Sequence, residues 1–518
     1  MNSINILWAD DEIDLLKPQM LFLKEKGYAV FPVTNGTDAV KACKENKFDV
    51  VFLDESMPGL SGLQALMEIK AIDGNLPIVM ITKNEAEDIM EEAIGSQIAD
   101  YLIKPVKPNQ ILLTLKKIID NKRLVSAKTT SDYQKEFQKI FATIQDSSNH
   151  EEWAEVYKTL VRWELDLGKS DTGEMANVLQ MQKQEANTEF NKFVMKNYIK
   201  WLSKPDDETP VLSHNLLAKK VFPRLNKDVP TFLVVIDNLR LDQWKVIQPL
   251  VNEFFRFQEE ETFYSILPTA TQYARNAIFS GMMPLEIQKK YPDKWRNDDD
   301  EGGKNLFEAD FLKDNIKRTV HGDIKTEYIK ITNHNDGKQL EDNILNYMNN
   351  DLVVIVYNFV DMLSHARTEM EVLKELASDE AAYRSLTLSW FDHSPLLNAL
   401  KKIADKKVNV IFTTDHGTIR VKTPSKIIAD RTTTTNIRYK NGKNLNYEAR
   451  DVFEIKKPAD AFLPAPNVST TYVFAKEDVY LVYPNNYNHF VNFFKNTFQH
   501  GGISLEEMIV PIAFYTSK

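Results

Sequence analysis

The 518-residue chain is poor in cysteine: Cys43 is the only one, so an intrachain disulfide and a metal site built from several thiolates are excluded. It also lacks any run of about 18 apolar residues, so no transmembrane helix is predicted. The first twelve residues, MNSINILWADDE, contain acids but no basic leader. This pattern argues against a secretory signal and predicts a cytoplasmic protein.

The chain also lacks an excess of positive charge, with 64 Lys and Arg against 74 Asp and Glu. The formal net charge is −10, which argues against a broad face for duplex DNA and predicts no duplex DNA-binding domain, although a local basic cleft stays open. The hydrophobic fraction of 43% and the charged fraction of 27% are typical of globular proteins. A chain of this length is too long for one hydrophobic core, so several domains are predicted.

Residues 1–122 alternate short apolar segments with helical patterns, the order of an α/β domain. The segments and the polar residues that follow them are Ile4–Trp8 with Asp10 and Asp11, Val50–Leu53 with Asp54, Pro77–Ile81 with Thr82, and Tyr101–Ile103 with Lys104. In a flavodoxin-like sheet the carboxyl ends of the strands meet at one crevice. We therefore expect these polar side chains to lie together.

The residue types at this edge suit phosphoryl transfer. Asp10, Asp11 and Asp54 form a set of oxygen ligands typical of a Mg²⁺ site. Asp54 is the expected nucleophile, and Lys104 and the Thr82 hydroxyl are expected to hold the new phosphate oxygens. The alternative is a flavodoxin-like domain with an inert acidic edge.

The segment resembles the receiver domain of two-component response regulators. The resemblance is carried by Asp10-Asp11, Asp54 within FLDESMPG, Thr82 and Lys104-Pro105. It implies that phosphorylation of Asp54 draws Thr82 inward and that the aromatic ring of Tyr101 follows. It also implies that the face formed by residues 84–120 mediates dimerisation.

Residues 123–225 lack strand patterns and predict a helical bundle that joins two domains. A capping box at Ser148–Glu151 predicts the start of a helix that ends near Gly168. Further on, apolar residues recur at helical spacing and are interpreted as bundle core rather than as a cofactor site: Met175, Val178, Leu179, Phe190, Val194, Tyr198 and Ile199. Transmission of a dimer rearrangement through these helices is a hypothesis.

Three apolar runs in residues 226–518 each lead into an acid. The runs are Phe232–Ile236 before Asp237, Asp351–Tyr357 before Asp361, and Val408–Thr414 before Asp415 and His416. One such acid is typical of turn capping, but repetition after three predicted strands favours a metal site at one edge of a parallel sheet.

Three further residues extend this set. Thr271 opens a predicted helix about 30 residues after Asp237. His365 follows Asp361 by four positions, so both side chains share one face if the segment is helical. His500 precedes the last apolar strand, Met508–Phe514.

Imidazoles and carboxylates without thiolates suit zinc, although Mn²⁺ can use the same ligands. The prediction is two Zn²⁺ sites about 4 Å apart. The first is formed by Asp361, His365 and His500, and the second by Asp237, Thr271, Asp415 and His416. Thr271 is the predicted catalytic nucleophile, and its backbone N–H at a helix start is a predicted phosphate donor.

These segments resemble the alkaline phosphatase superfamily, in particular its PglZ-type and nucleotide phosphodiesterase branches. The matching motifs are DNLR, PTAT…FSGMMP, DMLSH, TTDHG and HGGISLEEMIVP. The resemblance implies an alkaline-phosphatase-like α/β sandwich and a metal-dependent hydrolase. A site that persists without activity is the alternative, and diesters, monoesters and sulfates all stay open as substrates.

Two features near the predicted site are less specific. Arg275 and Asn276 follow Thr271 by one helical turn and suit either substrate contact or packing. The insertion 418–470 contains an Asn441-Gly442 hairpin signal and a set of cations that suits either a phosphate chain or a solvated loop. The cations are Arg420, Lys422, Lys426, Arg431, Arg438, Lys440 and Lys443.

The whole chain is predicted to be α/β, with domains at 1–122, 123–225 and 226–518, and this order resembles PorX-type response regulators of the type IX secretion system. The resemblance implies a sensor histidine kinase, a homodimer on phosphorylation, and contacts with a sigma factor and secretion components. It further implies phosphodiesterase action on cyclic or linear oligonucleotides. The alternative is a non-catalytic regulator whose metal site is structural or senses phosphate.

Overall fold

The computed structural model describes residues 4–74, 76–83, 98–168, 173–362, 379–429 and 434–518, with the side chains of 119–128 and 173–174 left aside. The chain forms two compact units, Met1–Asp132 and Tyr133–Lys518. The second unit contains the predicted helical bundle from Tyr133 onward and the whole of the predicted metal domain. The proposed boundaries at 122 and 225 stay predictions.

The first unit contains a parallel five-stranded sheet in the order β2-β1-β3-β4-β5. Its strands are β1 (Ile4–Ala9), β2 (Tyr28–Val33), β3 (Val50–Asp54), β4 (Ile78–Thr82) and β5 (Asp100–Ile103), and its helices are α1 (Lys17–Glu25), α2 (Gly36–Glu45) and α3 (Gly62–Ile72). Both β3 and β4 are wholly buried, because an apolar cluster covers each face of the sheet. This strand order confirms the predicted flavodoxin-like fold.

Three long helices follow: α4 (Pro108–Asp146), α5 (His150–Gly168) and α6 (Gly173–Ser203). The predicted helical character is confirmed, but the N-cap of α5 is one residue later than expected. Asn149 Oδ1 accepts from the backbone N–H of Glu152 at 2.9 Å, so Asn149 caps the helix in place of Ser148. The amide oxygen of Asn149 competes successfully with the Ser148 hydroxyl for this position.

The core of these helices is continuous with that of the following domain. The predicted core residues Leu179, Phe190, Val194 and Tyr198 are all buried. Tyr264, a residue of the following domain, packs its ring 6.2 Å from the ring of Phe190. The buried residues of these helices and of the following domain therefore form one continuous cluster.

The second unit contains a six-stranded mixed sheet in the order β7-β19-β10-β6-β9-β8. The strands are β6 (Thr231–Ile236), β7 (Phe255–Tyr264), β8 (Thr326–Ile331), β9 (Leu352–Tyr357), β10 (Asn409–Thr413) and β19 (Ile509–Ser517). Strands β10, β6, β9 and β8 run parallel, whereas β19 is antiparallel to both of its neighbours. The parallel part brings the carboxyl ends of β6, β9 and β10 to one edge.

Helices pack around this sheet, and smaller sheets follow β10. The helices are α7 (Leu241–Phe254), α8 (Thr271–Ser280), α9 (Pro284–Lys290), α10 (Glu308–Thr319), α11 (His334–Asn343), α12 (Glu380–Asp392), α13 (Pro395–Ile403), α14 (Tyr487–Phe494) and α15 (Leu505–Met508). The remaining strands are β11 (Ile419–Arg420), β12 (Thr423–Ile428), β13 (Tyr439–Gly442), β14 (Asn446–Tyr447), β15 (Val452–Ile455), β16 (Thr471–Ala475), β17 (Val479–Val482) and β18 (Phe498–Gln499).

The predicted Asn441-Gly442 hairpin turn is wrong. Both residues lie within β13 and pair with Tyr472 and Thr471 of the distant strand β16. The Asn441 side chain also donates to Asp298 Oδ2 at 2.7 Å. Pairing with a strand that is remote in sequence therefore overrides the local turn preference.

Across the described ranges, no helix combines the length and the apolar character that are needed to cross a bilayer.

Candidate functional sites

The first candidate site lies at the carboxyl edge of the five-stranded sheet. Carboxylate oxygens of Asp10, Asp11 and Asp54 all lie within 4.8 Å of one another. Lys104 Nζ lies 2.9 Å from Asp10 Oδ2 and 3.0 Å from Asp54 Oδ2. Asp10 and Asp54 are buried, whereas Asp11 is exposed. One side of the cluster is thus open to an incoming ligand.

Burial raises the pKa of Asp54; the hydrogen bond from Lys104 opposes this rise, and the neighbouring charge of Asp10 adds to it. Burial alone would lower the pKa of Lys104, but its contacts with Asp10 and Asp54 bring the pKa above its usual value. Three carboxylates around one ammonium leave an excess of negative charge, and these residues could hold a divalent cation.

The predicted switch residues occupy different environments. Thr82 is buried at the end of β4, and its hydroxyl donates to Glu55 Oε2. Tyr101 is 42% exposed on β5. Residues 84–97, which form much of the predicted dimerisation face, lie outside the described residues. The switch roles of Thr82 and Tyr101 stay predictions.

The second candidate site lies at the carboxyl edge of the six-stranded sheet. Asp237 follows β6, and Asp415 and His416 follow β10, the neighbouring parallel strand. One ligand atom from each lies within 4.8 Å of the other two, and all three residues are buried. Asn238, in the left-handed region with φ of 65°, turns the chain after β6 and donates its backbone N–H to Asp415 Oδ1 at 3.1 Å.

Thr271 joins this group at the first residue of α8. Its Oγ1 lies 3.3 Å from Asp237 Oδ1 and 3.1 Å from His416 Nε2. The side chain is half-buried, so the hydroxyl borders both the buried ligand group and the solvent side. Because Thr271 is the first residue of α8, the positive end of the helix dipole lies at the same point.

Asp361 and His500 lie beside this group. His500 Nε2 lies 3.7 Å from Asp361 Oδ1, and its ring stacks on the His416 ring with centroids 4.4 Å apart. Asn238 Nδ2 donates to Asp361 Oδ1 at 3.3 Å. His365, the third predicted ligand of the first zinc site, lies outside the described residues. The predicted zinc ligands that lie within the described residues therefore form one group in space.

The orientation of the imidazoles is a test of fit for a metal. His416 Nδ1 lies 3.1 Å from the carbonyl oxygen of Gly417, and His500 Nδ1 lies 3.2 Å from that of Thr269. A carbonyl oxygen only accepts, so Nδ1 carries the hydrogen and Nε2 presents its lone pair in the neutral ring. This arrangement is typical of metal-binding histidines. Asp415 Oδ2 is buried and makes no hydrogen bond within the described part of the chain, so the donor set fits a divalent cation.

Arg275 is the main site residue whose contacts the sequence did not define. It is buried, and its Nη1 lies 2.6 Å from Asp237 Oδ2, while its Nε donates to Glu308 Oε1 at 2.5 Å. Lys330 Nζ in turn lies 2.8 Å from Glu308 Oε2. The position of Arg275 one turn after Thr271 indicated a place near the site, but nothing marked Glu308 as its partner.

Burial alone would raise the pKa of Asp237, but the charge of Arg275 and, to a smaller extent, the neighbouring imidazole of His416 bring it below its usual value. Burial and the charge of Asp237 raise the pKa of Asp415 well above its usual value. The Arg275 guanidinium therefore stabilises the charged form of Asp237 more than that of Asp415, because it contacts Asp237 directly.

Two members of the predicted basic cluster have other roles. Arg438 is fully buried and forms an ion pair with Glu507, with Nη2 and Oε2 2.7 Å apart. Lys440 is also buried, and its Nζ donates to the carbonyl oxygen of Thr434 at 2.8 Å. The prediction of a single phosphate-attracting or solvated cluster is therefore wrong for these two residues, because partners elsewhere in the fold bury them. Arg431 lies outside the described residues.

Family models match three consecutive parts of the chain. They are the response regulator receiver domain over residues 6–116, the PorX response regulator linker domain over 123–202, and the BREX system PglZ alkaline phosphatase-like domain over 216–515. The fold and the two sites thus define a response regulator with an alkaline phosphatase-like output domain. The chain belongs to the PglZ alkaline phosphatase-like family, and its three domains in this order have the architecture of PorX-type response regulators.

Individual relatives are similar to about a quarter of the chain. The transcriptional regulatory protein ZraR of Klebsiella oxytoca is 32% identical over 128 residues, which cover 25% of this chain and 29% of ZraR. The chemotaxis protein CheY of Thermotoga maritima is 32% identical over 114 residues, which cover 22% of this chain and 95% of CheY. The chain therefore spans less than a third of the length of ZraR.

Among solved structures, a response regulator receiver domain from Clostridium thermocellum is 30% identical, with a TM-score of 0.22. The match covers 23% of this chain and 98% of that one. The match to the receiver-domain family model over residues 6–116 implies a phosphoryl donor such as a histidine kinase.

Proposed function

We propose that the receiver domain accepts a phosphoryl group at Asp54 and that the PglZ domain is a zinc-dependent phosphodiesterase controlled by this event. The observation that carries the enzymatic half is the position of Thr271, whose Oγ1 lies 3.1 Å from His416 Nε2 and 3.3 Å from Asp237 Oδ1. A hydroxyl at a helix start, bordered by a carboxylate and an imidazole, is well placed to act as a nucleophile.

In this proposal Asp237, Thr271, Asp415 and His416 hold one cation, and Asp361 and His500 hold the other together with His365. Two bound divalent cations supply positive charge that stabilises an in-line phosphoryl displacement. Zinc suits this mixture of imidazole and carboxylate ligands, and Mn²⁺ is the alternative.

The reaction then follows from the residues themselves. Thr271 Oγ1 attacks the phosphorus of a diester, a new phosphorus–oxygen bond forms, and the bond to the leaving alcohol breaks. The Thr271 proton passes to solvent water, and the departing alkoxide takes a proton from solvent water. A water molecule then attacks the phosphorus of the threonyl phosphodiester, the bond from phosphorus to Thr271 Oγ1 breaks, and a phosphate monoester leaves while the hydroxyl is restored. The N–H groups at the start of α8 are positioned to donate to non-bridging phosphate oxygens.

Arg275 contributes by holding Asp237. Its guanidinium contacts both Asp237 and Glu308, so the Asp237 carboxylate has a fixed orientation and a partner for its charge. Asn305 Nδ2 donates to the backbone oxygen of Thr271 at 3.1 Å and fixes the start of α8. Thr271 and Asp237 are thereby held in a fixed position relative to each other.

The receiver half of the proposal uses Asp10, Asp11 and Asp54 for Mg²⁺. Lys104, which lies 3.0 Å from Asp54 Oδ2, is placed to pair with a phosphoryl oxygen after transfer from a histidine kinase. The Thr82 hydroxyl then exchanges Glu55 for the phosphoryl group, and Tyr101 moves inward. Dimerisation on phosphorylation is part of the proposal.

The proposed substrates are cyclic or linear oligonucleotides, and the proposed role is regulation of type IX secretion with a sigma factor and secretion components as partners. The architecture shared with PorX-type regulators supports this assignment. The second candidate is a regulator that acts through protein contacts, with a structural or phosphate-sensing metal site. Retention of Thr271 beside His416 favours the enzyme.

The test is hydrolysis of bis(p-nitrophenyl) phosphate in the presence of Zn²⁺. Thr271→Val keeps the shape of the side chain and removes the hydroxyl, so we expect kcat to fall at least about 10³-fold. Thr271→Ser retains a hydroxyl and should keep most of the activity, and exposed Thr319→Val is the matched control. Equal rates for the parent and Thr271→Val would reject the nucleophile, and an inactive parent would favour the binding regulator.

A further inference from the structure

A group of buried charges lies where the linker helices α5 and α6 meet the catalytic domain. We call it the linker network. Five of its seven residues are buried, and Glu164 and Glu380 are half-buried. Its members are Glu164, Lys183, Arg240, Asp242, Glu380, Arg384 and Glu506.

One branch of the network leads from α5 to the turn after β6. Glu164 forms an ion pair with Arg384 of α12, and Arg384 Nη1 lies 3.0 Å from Asp242 Oδ2. Asp242 is bound in turn by Arg240, whose Nη2 lies 2.6 Å from the same oxygen. Arg240 is three residues after Asp237, so this branch ends in the turn that carries a predicted metal ligand.

Arg240 also contacts the other two ligand segments. Its guanidinium lies over the ring of Phe498 at 5.1 Å, two residues before His500. A Cβ at Gly417 would lie 3.2 Å from Arg240 Cγ, and Gly417 is next to His416. One fully buried side chain therefore borders the segments of Asp237, His416 and His500.

A second branch leads from α6 to the same place. Lys183 Nζ lies 3.2 Å from Glu506 Oε1, and Asn187 Nδ2 donates to Glu506 Oε2 at 3.1 Å. Asn187 Oδ1 accepts the backbone N–H of Leu505 at 2.8 Å. A Cβ at Gly417 would lie only 2.1 Å from the carbonyl oxygen of Glu506, so the segment held by α6 packs directly on the residue after His416.

Attachment of α5 and α6 to the neighbouring domain does not by itself explain so many buried charges. Their desolvation costs several kcal/mol per ion, and well-packed apolar residues of similar volume often hold an interface as firmly. Charge-assisted hydrogen bonds have narrow geometry, so they fix the position of each partner more closely than apolar packing does. The network is thus suited to fixing the positions of the segments that it joins.

The last part of α4 contacts the residues adjacent to both branches. Tyr133 donates its hydroxyl to Gln182 Oε1 at 2.7 Å, and Gln182 precedes Lys183. Trp163 Nε1 donates to Glu136 Oε2 at 3.0 Å, and Trp163 precedes Glu164. A displacement of the part of α4 that includes Tyr133 and Glu136 would therefore act on α5 and α6 next to the network.

We propose that the linker helices position the metal ligands of the PglZ domain, with Glu164, Lys183 and Asn187 as positioning residues for Asp237, His416 and His500. A movement of α5 and α6 then changes the affinity and the geometry of the metal site. This inference rests on the proposed metal-dependent function and deepens it by assigning its regulation to the linker.

The test uses Co²⁺ as a spectroscopic probe in the full-length protein. Glu164→Gln removes one charge of the network without changing its volume. The matched control, Glu155→Gln, removes an exposed acid of the same helix that is paired with Lys158. Loss of a residue that orients a metal ligand directly costs about 10–100-fold in affinity. Glu164 acts through Arg384, Asp242 and Arg240, so its loss should cost less, about threefold to tenfold. We expect this loss and a changed Co²⁺ absorption band for Glu164→Gln, with neither for Glu155→Gln.

Asn187→Ala is the second variant, because it weakens the α6 branch without leaving a buried charge unpaired in the linker. A folded Glu164→Gln or Asn187→Ala protein with the parent's Co²⁺ spectrum and affinity would overturn the proposal. A shifted spectrum in a protein that does not hydrolyse diesters would support linker positioning and reject the hydrolase. A parent that binds no Co²⁺ would reject the metal site and the inference together.

Discussion

Thr271 and His416 are 145 positions apart in the sequence, yet Thr271 Oγ1 lies 3.1 Å from His416 Nε2. The contact forms because α8 starts at the sheet edge where β10 ends. The Nδ1 contact of His416 with the carbonyl oxygen of Gly417 directs Nε2 toward the hydroxyl. The geometry of the site thus depends on backbone groups that hold the rings as well as on the ligands themselves.

Loss of Arg275 should make the fold depend more strongly on metal. Arg275→Met leaves Asp237 and Glu308 buried without their shared cation, which should cost about 3–5 kcal/mol in the metal-free protein. Added Zn²⁺ would neutralise Asp237, so we expect the rise in Tm on metal addition to be larger for the variant than for the parent. Thermal unfolding with and without a chelator measures both quantities. Exposed Arg256→Met is the control, and equal metal-induced shifts in Arg275→Met and the parent would contradict this role.

The strand-end acids could be found from the sequence because an apolar run and the residue after it are local features. The parallel arrangement then brings Asp237 and Asp415 to one edge, as the alternating pattern of runs and helices indicated. Arg275 could be placed near Thr271 by helical spacing, but its contact with Glu308 depends on how α8 and α10 pack. Such a contact leaves no mark in a single sequence.

In the basic insertion, residues 418–470, local sequence features predicted the wrong environment. Charge alone favoured solvent or phosphate for Arg438, whereas its guanidinium binds Glu507, 69 residues later. The same applies to the Asn441-Gly442 pair, which is a strong local turn signal but pairs with β16. Local preference was overridden wherever a partner from a remote segment satisfied the side chain or the backbone.

Phosphoryl mimicry should change the state of association. Beryllofluoride with Mg²⁺ should occupy the cleft of Asp54 and Lys104 and about double the apparent mass of the parent in solution, if dimers of two-fold symmetry form. Asp54→Asn removes the acceptor oxygen and should stay at the mass of the untreated protein. Light scattering after size exclusion measures this change. Asp14→Asn, which alters an exposed acid four residues after Asp10, should respond as the parent does, and a response of Asp54→Asn would refute the assignment.

Lys440 should make stability depend on pH. Burial lowers the pKa of Lys440 to about 7, and its ammonium forms no ion pair within the residues that the structure describes. In the unfolded chain the pKa is about 10.4, so between these two values the unfolded state binds the proton and the folded state does not. The free energy of unfolding therefore rises with pH across this window, and a charged Lys440 destabilises the fold below it.

Lys440→Met removes this dependence. We expect the free energy of unfolding of the variant, measured by denaturant titration, to exceed that of the parent by more at pH 7 than at pH 9.5. The difference should be on the order of a few kcal/mol at the lower pH. Lys443→Met is the control, because Lys443 is in the same insertion but is half-exposed. A constant difference between Lys440→Met and the parent at both pH values would show that the folded and unfolded states bind this proton alike.

Gly417 should tolerate no side chain, because a Cβ there would lie 2.1 Å from the carbonyl oxygen of Glu506. Gly417→Ala must displace either the His416 segment or the backbone around Glu506, at a cost of about 1–3 kcal/mol. Since both segments border the ligands, metal affinity should fall together with Tm. Gly168→Ala adds a methyl group at the end of α5, where no atom lies within 4 Å, and should change neither quantity. If Gly417→Ala lowered Tm but bound Co²⁺ with the parent's affinity, the packing of Gly417 against Glu506 would stabilise the fold without holding His416 in place.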